Sequence, residues 1–567
     1  MTLVADVDRQ EEPVPAAVLG SAAKATALAR LQPWWAVRVA RANLPVEWSD
    51  LATALEAQPP APLPPADPST PPYDAHSLGL SYVETLPAGE RSSRGKHYTP
   101  RPLADRLWAM ARDALGFGVD PRRLPGLVRD PAVGAAALLV PVLHEHLSAS
   151  SDVDPALTLS SLPQYVEGID TDPWAVYVAN VVLAAEMLPT LARVPVGRRR
   201  PLPALARVGD GLTADLAPAQ VWIMNPPYGR QRLSTEVRER FADSLFGHAN
   251  LYGLFMAAAA RNVTQDGVVA ALVPTSFSAG LYFSRLRERL GEQAPLRAMT
   301  FVHDRAGVFG GVLQETCLAT FTPRRAKRVE IARANGNYLE VAKVPVPRTS
   351  GPWLLPRESV DAALAAAASK MPLTLRDAGW HASTGPLVWN RRRAELHPRP
   401  SARRAYVLWA GDIDGGALHR EPARDPFRYL SLRDATDERI NALTEPAVLV
   451  QRTTAPEQPR RLVVFDFTQN HLNALGGRVV VENHLNVLRP TVAAPLLTHA
   501  TLARVLSSHT FDRLVRCISG SVAVSSYELG ALPLPAADVL STWETLEGDA
   551  LEHAIAAAYR PTARRSR

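Results

Sequence analysis

The sequence predicts an α/β fold built on a parallel sheet, with a helical segment before it and a mixed α+β region after it. Three observations lead to this. Between about His76 and Thr322, apolar runs of strand length alternate with stretches of helical periodicity, the pattern of parallel strands covered on both faces. Several runs stop at an acid or at Asn-Pro-Pro, and sheets of this kind bind ligands at the carboxyl ends of their strands. After about residue 323 the alternation is lost.

Residues 15–56 read as helices, with Trp34, Trp35, Val37, Val39, Leu51 and Leu55 as apolar positions. QPPAPLPPADPSTPPYD (58–74) is too rich in proline for helix or ladder and reads as a stiff linker, closing an N-terminal segment of residues 1–75. The strand runs are GLVRD (126–130), YVEGID (165–170), LARVGD (205–210), VWIM (221–224), VVAALVP (268–274), MTFVHD (299–304) and CLATFT (317–322), within an α/β domain of residues 76–325. The interval from Asp130 to Asp170 exceeds what a helical crossover needs. Its segment SASSDVDPALTLSS reads as an inserted surface loop. Residues 326–354 form a connector with hairpin character, Asn335-Gly336 supplying the turn signal. Residues 355–545 mix short strands, arginine-rich loops and a late helix as a second domain, and 546–567 form a tail that frays.

At 567 residues the chain is long enough for two or three domains. Its 47% hydrophobic and 21% charged residues are those of a globular protein. No apolar stretch reaches the roughly 18 residues that span a bilayer, so no membrane partner is expected. The N-terminus lacks a basic-then-apolar leader pattern. With two cysteines far apart, Cys317 and Cys517, a reducing cytoplasmic setting is expected. The net charge of +6 leans gently toward a polyanionic partner. Neither Glu340-Val-Ala-Lys343 nor His144-Glu145-His146 has the spacing of a nuclease or zinc-protease site. No metal is expected, and no cleavage.

Asn225-Pro226-Pro227-Tyr228 follows the apolar run VWIM. The prolines cannot donate, so backbone carbonyls there stay available as acceptors. The Asn225 amide oxygen and the Pro226 carbonyl suit the two hydrogens of an exocyclic amino group, and Tyr228 offers a stacking face. The alternative is a proline-rich turn in which Tyr228 covers the sheet end.

Four further segments, in order, give this region a family resemblance. GKHYTPRPLADRLW (95–108), DPAVGAAALL (130–139), GIDTDPWAV (168–176) and VGDGL (208–212), followed by Asn-Pro-Pro-Tyr, resemble the gamma arrangement of amino-methylating DNA methyltransferases. The resemblance covers residues 77–322 and implies a Rossmann-like core that binds S-adenosylmethionine. It implies that Tyr98 and Thr99 hold the methionine end, Thr99 otherwise standing at a capped helix start. Asp130, Ala132 and Gly134 would form the loop beside the methionyl group, Asp170 would bind the ribose hydroxyls, and Asp210 with Leu212 the adenine. Singly, Asp210 reads equally as a turn former, and Asp172-Pro173 as a helix cap. Ala136 stands where the family has a second glycine, and its methyl is expected to crowd the cofactor.

The same resemblance makes Asn225, Pro226, Pro227 and Tyr228 the catalytic group and favours adenine N6 over cytosine N4 as the methyl acceptor. It places an aromatic nine residues after Pro274 against a flipped base. That count reaches Phe283, with Phe277 and Tyr282 as substitutes, or else Phe283 faces the core of a helix. The segments TGPLVWNRRR (384–393), LVQRTTAPEQPRRLVV (449–464), GGRVVVENHLNVLRP (476–490) and RCISGSVAVSSYELGALPLP (516–535) resemble the recognition domain of type II modification enzymes that accompany PstI-like endonucleases. Duplex DNA is the implied partner of a monomer, with a separately encoded restriction endonuclease. Arg391, Arg392, Arg393, Arg452, Arg460 and Arg461 are the candidate DNA contacts, and Asn390, Gln451 and Asn483 the candidate adenine readers. Each such arginine is otherwise solvated surface. Methylation of an RNA base or a protein glutamine, and a recognition subunit without activity, are the alternatives.

Overall fold

The strands form where the apolar runs predict. The computed structural model describes residues 22–67, 74–85, 98–213, 216–229, 232–247, 250–302, 315–335, 337–414, 416–454 and 458–560. The chain divides into two compact units. The first is Met1–Trp108 with Asp120–Thr213 and Ile223–Pro227, and the second is Ala109–Val119 with Ala214–Trp222 and Tyr228–Arg567.

In the first unit β1 (Val128–Asp130), β2 (Val166–Asp170) and β3 (Ala206–Val208) pair in parallel, β1 with β2 and β2 with β3. They continue the order β3-β2-β1-β4, with β4 (Ala219–Met224) shared between the units. Between β2 and β3 runs the helix Pro173–Arg193, capped by Asp172, whose carboxylate accepts from Trp174 N at 3.0 Å. Asn180 on this helix ties it to β3: Oδ1 accepts from Leu205 N and Ala206 N at 2.8 and 2.9 Å, and Nδ2 donates to Ala206 O at 2.9 Å. The helix corrects one expectation. It is long and apolar enough to cross a membrane, with mean hydropathy 1.6, but 83% of that window is buried within the fold.

The helices Leu31–Arg41 and Ala75–Glu84 pack on the same helix, and Tyr82 donates to Asp172 Oδ2 at 3.3 Å. The described part of the proline-rich segment is tethered rather than free, Asp67 N donating to Ala29 O at 3.1 Å. SASSDVDPALTLSS is not a loop throughout. Its second half forms the helix Pro155–Ser161, because Asp154 caps Ala156 N and Leu157 N while Pro155 occupies the first turn.

In the second unit the order is β4-β5-β7-β6-β8-β9. β5 (Val263–Pro274) and β6 (Leu296–Val302) both run antiparallel to β7 (Thr316–Phe321), which is buried along its whole length. β8 (Arg328–Asn335) pairs parallel with β6 and antiparallel with β9 (Asn337–Pro345), the predicted hairpin. Its turn residue Gly336 and the predicted strand end at 303–304 lie outside the described residues. Beyond it, an antiparallel sheet orders the strands Trp380–Thr384, Leu485–Pro490, Ala447–Gln451 and Val464–Phe467. Trp380, Phe511, Leu514 and Trp543 share a core with it, drawing the late helices His509–Ile518 and Ala537–Trp543 onto that sheet.

Candidate functional site

Within the first unit, the loops after β1, β2 and β3 interlock through short polar contacts. Asp130 ends β1 at 1% exposure, and its Oδ1 accepts from Ala132 N at 3.0 Å. Burial, with the charge of Asp170 added, pushes its carboxyl up to about 8. Asp170 ends β2. One of its oxygens accepts from Gly134 N at 3.0 Å and the other from Asp172 N at 2.9 Å, so the second acid shapes the loop that begins at the first. Asp210 is exposed and turns its own loop by accepting from Leu212 N at 2.9 Å. A side chain at Gly211 would lie 2.1 Å from Pro131 O, so only glycine lets these two loops meet. Gly211 lay within the quoted motif, but nothing in the string marked this approach.

The altered loop behaves differently from expectation. Gly134 has φ +51° and opens onto space within 4 Å of where a side chain would begin, leaving its backbone approachable. Ala136 has φ +66° and is fully buried. Its methyl therefore packs inside the fold and does not face an open site. The consequence of lacking glycine there is strain, since the loop's left-handed backbone costs a non-glycine residue about 1–2 kcal/mol.

Tyr98 donates to His76 O at 2.7 Å and its ring meets the His76 ring edge-on. Burial raises its hydroxyl far above the usual range. Thr99, at 3% exposure, accepts from Asn225 Nδ2 at 2.9 Å. This bond links two predicted motifs that lie 126 residues apart and sets the amide with its oxygen opposite the Thr99 side. Pro226 is buried, while Asn225 and Pro227 are half-buried.

Within the second unit, Tyr228 donates to Leu272 O at 3.2 Å and meets Tyr252 edge-on. Tyr252 in turn shares a 2.7 Å hydrogen bond with Ser276 and packs on Phe283. The pocket aromatics need correction. Phe277 is fully buried between Phe321 and Trp353, and Phe283 is 9% exposed against Tyr252; a ring packed on other rings offers no open face. Tyr282, the substitute, is 42% exposed.

No protein-family model matches the sequence. Over 342 residues the chain is 26% identical to the type II methyltransferase M.PstI of Providencia stuartii, and over 334 residues 22% identical to the type II methyltransferase M.BsuBI of Bacillus subtilis. The chain is similar to these two type II methyltransferases over part of its length. Each alignment covers 56% of this chain and 65% of the relative, just under two thirds of that protein's length. The solved structure of the type IIL restriction-modification enzyme MmeI in complex with DNA matches with TM-score 0.51 at 13% identity, over 88% of this chain and 81% of that one. This match, at that identity, is one of fold alone: the core is Rossmann-like.

The six candidate arginines separate into distinct environments. Arg391 and Arg393 are exposed, Arg393 lying over the Phe427 ring at 5.4 Å. Arg392 is committed to Asp437 at 2.8 Å and to Glu395. Arg452 is half-buried and donates to Asn483 O at 3.2 Å. Arg460 donates to Ser507 O. Arg461 is fully buried, donating to Ser521 O at 2.8 Å and to Thr454 O. Burial lowers its guanidinium to about 10. Arg461 supports the fold and is no DNA contact, and Arg392 is held in an ion-pair network. Gln451, a candidate reader, spends its amide on Ala410 O and Ile413 O at 2.8 Å each. Asn390 is exposed and Asn483 is half-buried.

Proposed function

We propose that this chain transfers a methyl group from S-adenosylmethionine to the N6 amino group of an adenine flipped out of duplex DNA, as the modification enzyme of a restriction-modification system. The observation that carries the reading is the Thr99–Asn225 bond, which joins the cofactor-side motif to the Asn-Pro-Pro loop within one unit. The names of the two curated relatives support it.

The residues fit the cofactor. Asp170 and Asp210 stand at adjacent strand ends, and Gly134 leaves open space before its backbone. When bound, S-adenosylmethionine supplies an electrophilic methyl on a sulfonium. Asn225 Oδ1 and the Pro226 carbonyl accept the two amino hydrogens of adenine, turning its nitrogen lone pair toward that methyl. Held by Asn225 and Pro226, the amino nitrogen would take that methyl as its bond to sulfur breaks, and would give up one proton to solvent. Positioning and fixed dipoles supply most of the catalysis. Tyr228 supplies aromatic surface for the extruded base, whose unstacking costs a few kcal/mol. Residues 355–545 serve as the recognition region, working on DNA in the cytoplasm as a monomer.

Labelled S-adenosylmethionine offered with duplex DNA, RNA and protein tests this. Label on DNA, located at adenine by single-molecule sequencing, is expected; label on cytosine, RNA or protein alone refutes it. Asn225→Ala should reduce transfer by about 100- to 1000-fold, as loss of one charge-stabilising group does, while cofactor binding persists.

A further inference from the structure

The end of the antiparallel sheet in the second unit carries a buried acid dedicated to one exposed histidine. Glu482 is 1% exposed, yet both its oxygens are spent on His484. His484 Nδ1 lies 2.7 and 2.9 Å from the two oxygens and its backbone N donates at 3.0 Å. The His484 side chain is 49% exposed. Burying a carboxyl group is costly unless its partners compensate. The backbone N–H of His484 shapes the turn, and the two Nδ1 contacts go further and orient an imidazole that faces solvent. With Nδ1 committed to Glu482, Nε2 is the ring nitrogen left for a ligand.

The surroundings form a polar rim. Arg452 N donates to His484 O at 2.8 Å, and the Arg452 guanidinium to Asn483 O at 3.2 Å. Thr454 N donates to Val522 O at 3.1 Å, laying residues 452–454 beside 522–524. Beneath them the buried Arg461 holds the carbonyls of Thr454 and Ser521. An arginine, a histidine and an asparagine thus stand together on a braced edge. Rigid support of a few projecting polar groups is what discrimination between base edges requires.

We propose that Arg452, Asn483 and His484 form a base-reading edge for duplex DNA, with His484 contacting a base through Nε2 and Glu482 acting as its positioning residue. The proposal rests on the reading of the chain as a DNA methyltransferase and names the part that selects sequence.

The test uses the full chain and a library of duplexes varied at every base pair of the preferred site. Methylation rate and equilibrium binding are measured for each duplex at several salt concentrations. His484→Ala should lower the thermal midpoint, because the buried Glu482 loses its imidazole partner, and in the folded chain relax discrimination at one base pair by about 5- to 150-fold, the range of one good base contact. Glu482→Leu should relax the same position. Glu482→Gln, which keeps an acceptor for Nδ1, should retain most of the preference. A preference unchanged in His484→Ala overturns the proposal. So does an equal loss across all sequences with a flatter salt dependence, since that marks a phosphate contact. A wild-type chain that neither binds nor methylates duplex DNA overturns the parent reading as well, so the two failures are distinguishable.

Discussion

Replacing Thr99 by valine separates two roles that the first unit offers this residue. The substitution is nearly isosteric and removes only the hydroxyl that accepts from Asn225 Nδ2 at 2.9 Å. Thr99 is 3% exposed, so water is poorly placed to take over. Losing the Thr99 acceptor costs the half-buried Asn225 amide about 1 kcal/mol, and lets it turn from the orientation proposed to point Oδ1 at the acceptor amine. If that loss falls on the transition state, at about 1.4 kcal/mol per decade the proposed methyl-transfer step slows by roughly 5-fold. Single-turnover methylation at saturating cofactor reads this directly, and calorimetry gives the cofactor Kd. The expected result is a slower step with Kd within about twofold of wild type, and recovery in Thr99→Ser. A step rate at the wild-type level refutes the reasoning. A weakened Kd that accounts for the whole defect refutes it too, and returns Thr99 to the role of holding the methionine carboxylate.

Asp130 gives a pH prediction. Its folded value of about 8 lies above the 3.8 of an ordinary aspartate, so the folded chain holds a proton that the unfolded chain releases. Between those values stability falls as pH rises, and the loss is complete above about 8. Asp130→Asn removes this dependence: its thermal midpoint should gain on wild type from pH 5 to pH 8.5, and a constant difference across that range would count against it. The arginines give a paired prediction. Arg461→Met should destabilise the chain by about 3 kcal/mol, measured by denaturant unfolding, because it removes a buried, bonded cation and orphans two carbonyls. Arg391→Ala should leave stability within about 0.5 kcal/mol, weaken binding to all duplexes alike and lower the salt slope by about one.

Much of the architecture was legible because it is written locally. All seven predicted strand runs form strands, since each is a short apolar run closed by a turn former. The acids at Asp130 and Asp170 fall at strand ends for the same reason. The helix Pro155–Ser161 was missed although its signal, Asp154 before Pro155, is as local as any; a run of serines outweighed a cap. The aromatic assignments failed differently. Phe277, Tyr282 and Phe283 are neighbours in sequence, yet their exposures run from none to 42%. No pattern within six residues encodes which ring Trp353 and Phe321 will cover.

By itself, the sequence determined the alternation of strands and helices, the order of the cofactor-like motifs and the rigid Asn-Pro-Pro-Tyr loop. These follow from properties that residues carry with them: periodicity, backbone restriction at proline, and capping side chains. Only the tertiary structure decided that Thr99 holds Asn225, that the Ala136 methyl is packed inward, that Arg461 is a pillar while Arg391 meets solvent, and that Glu482 serves His484. Each of those depends on burial and on partners set by the folded path of the chain, and the energy of a polar group is fixed by what surrounds it rather than by what it is.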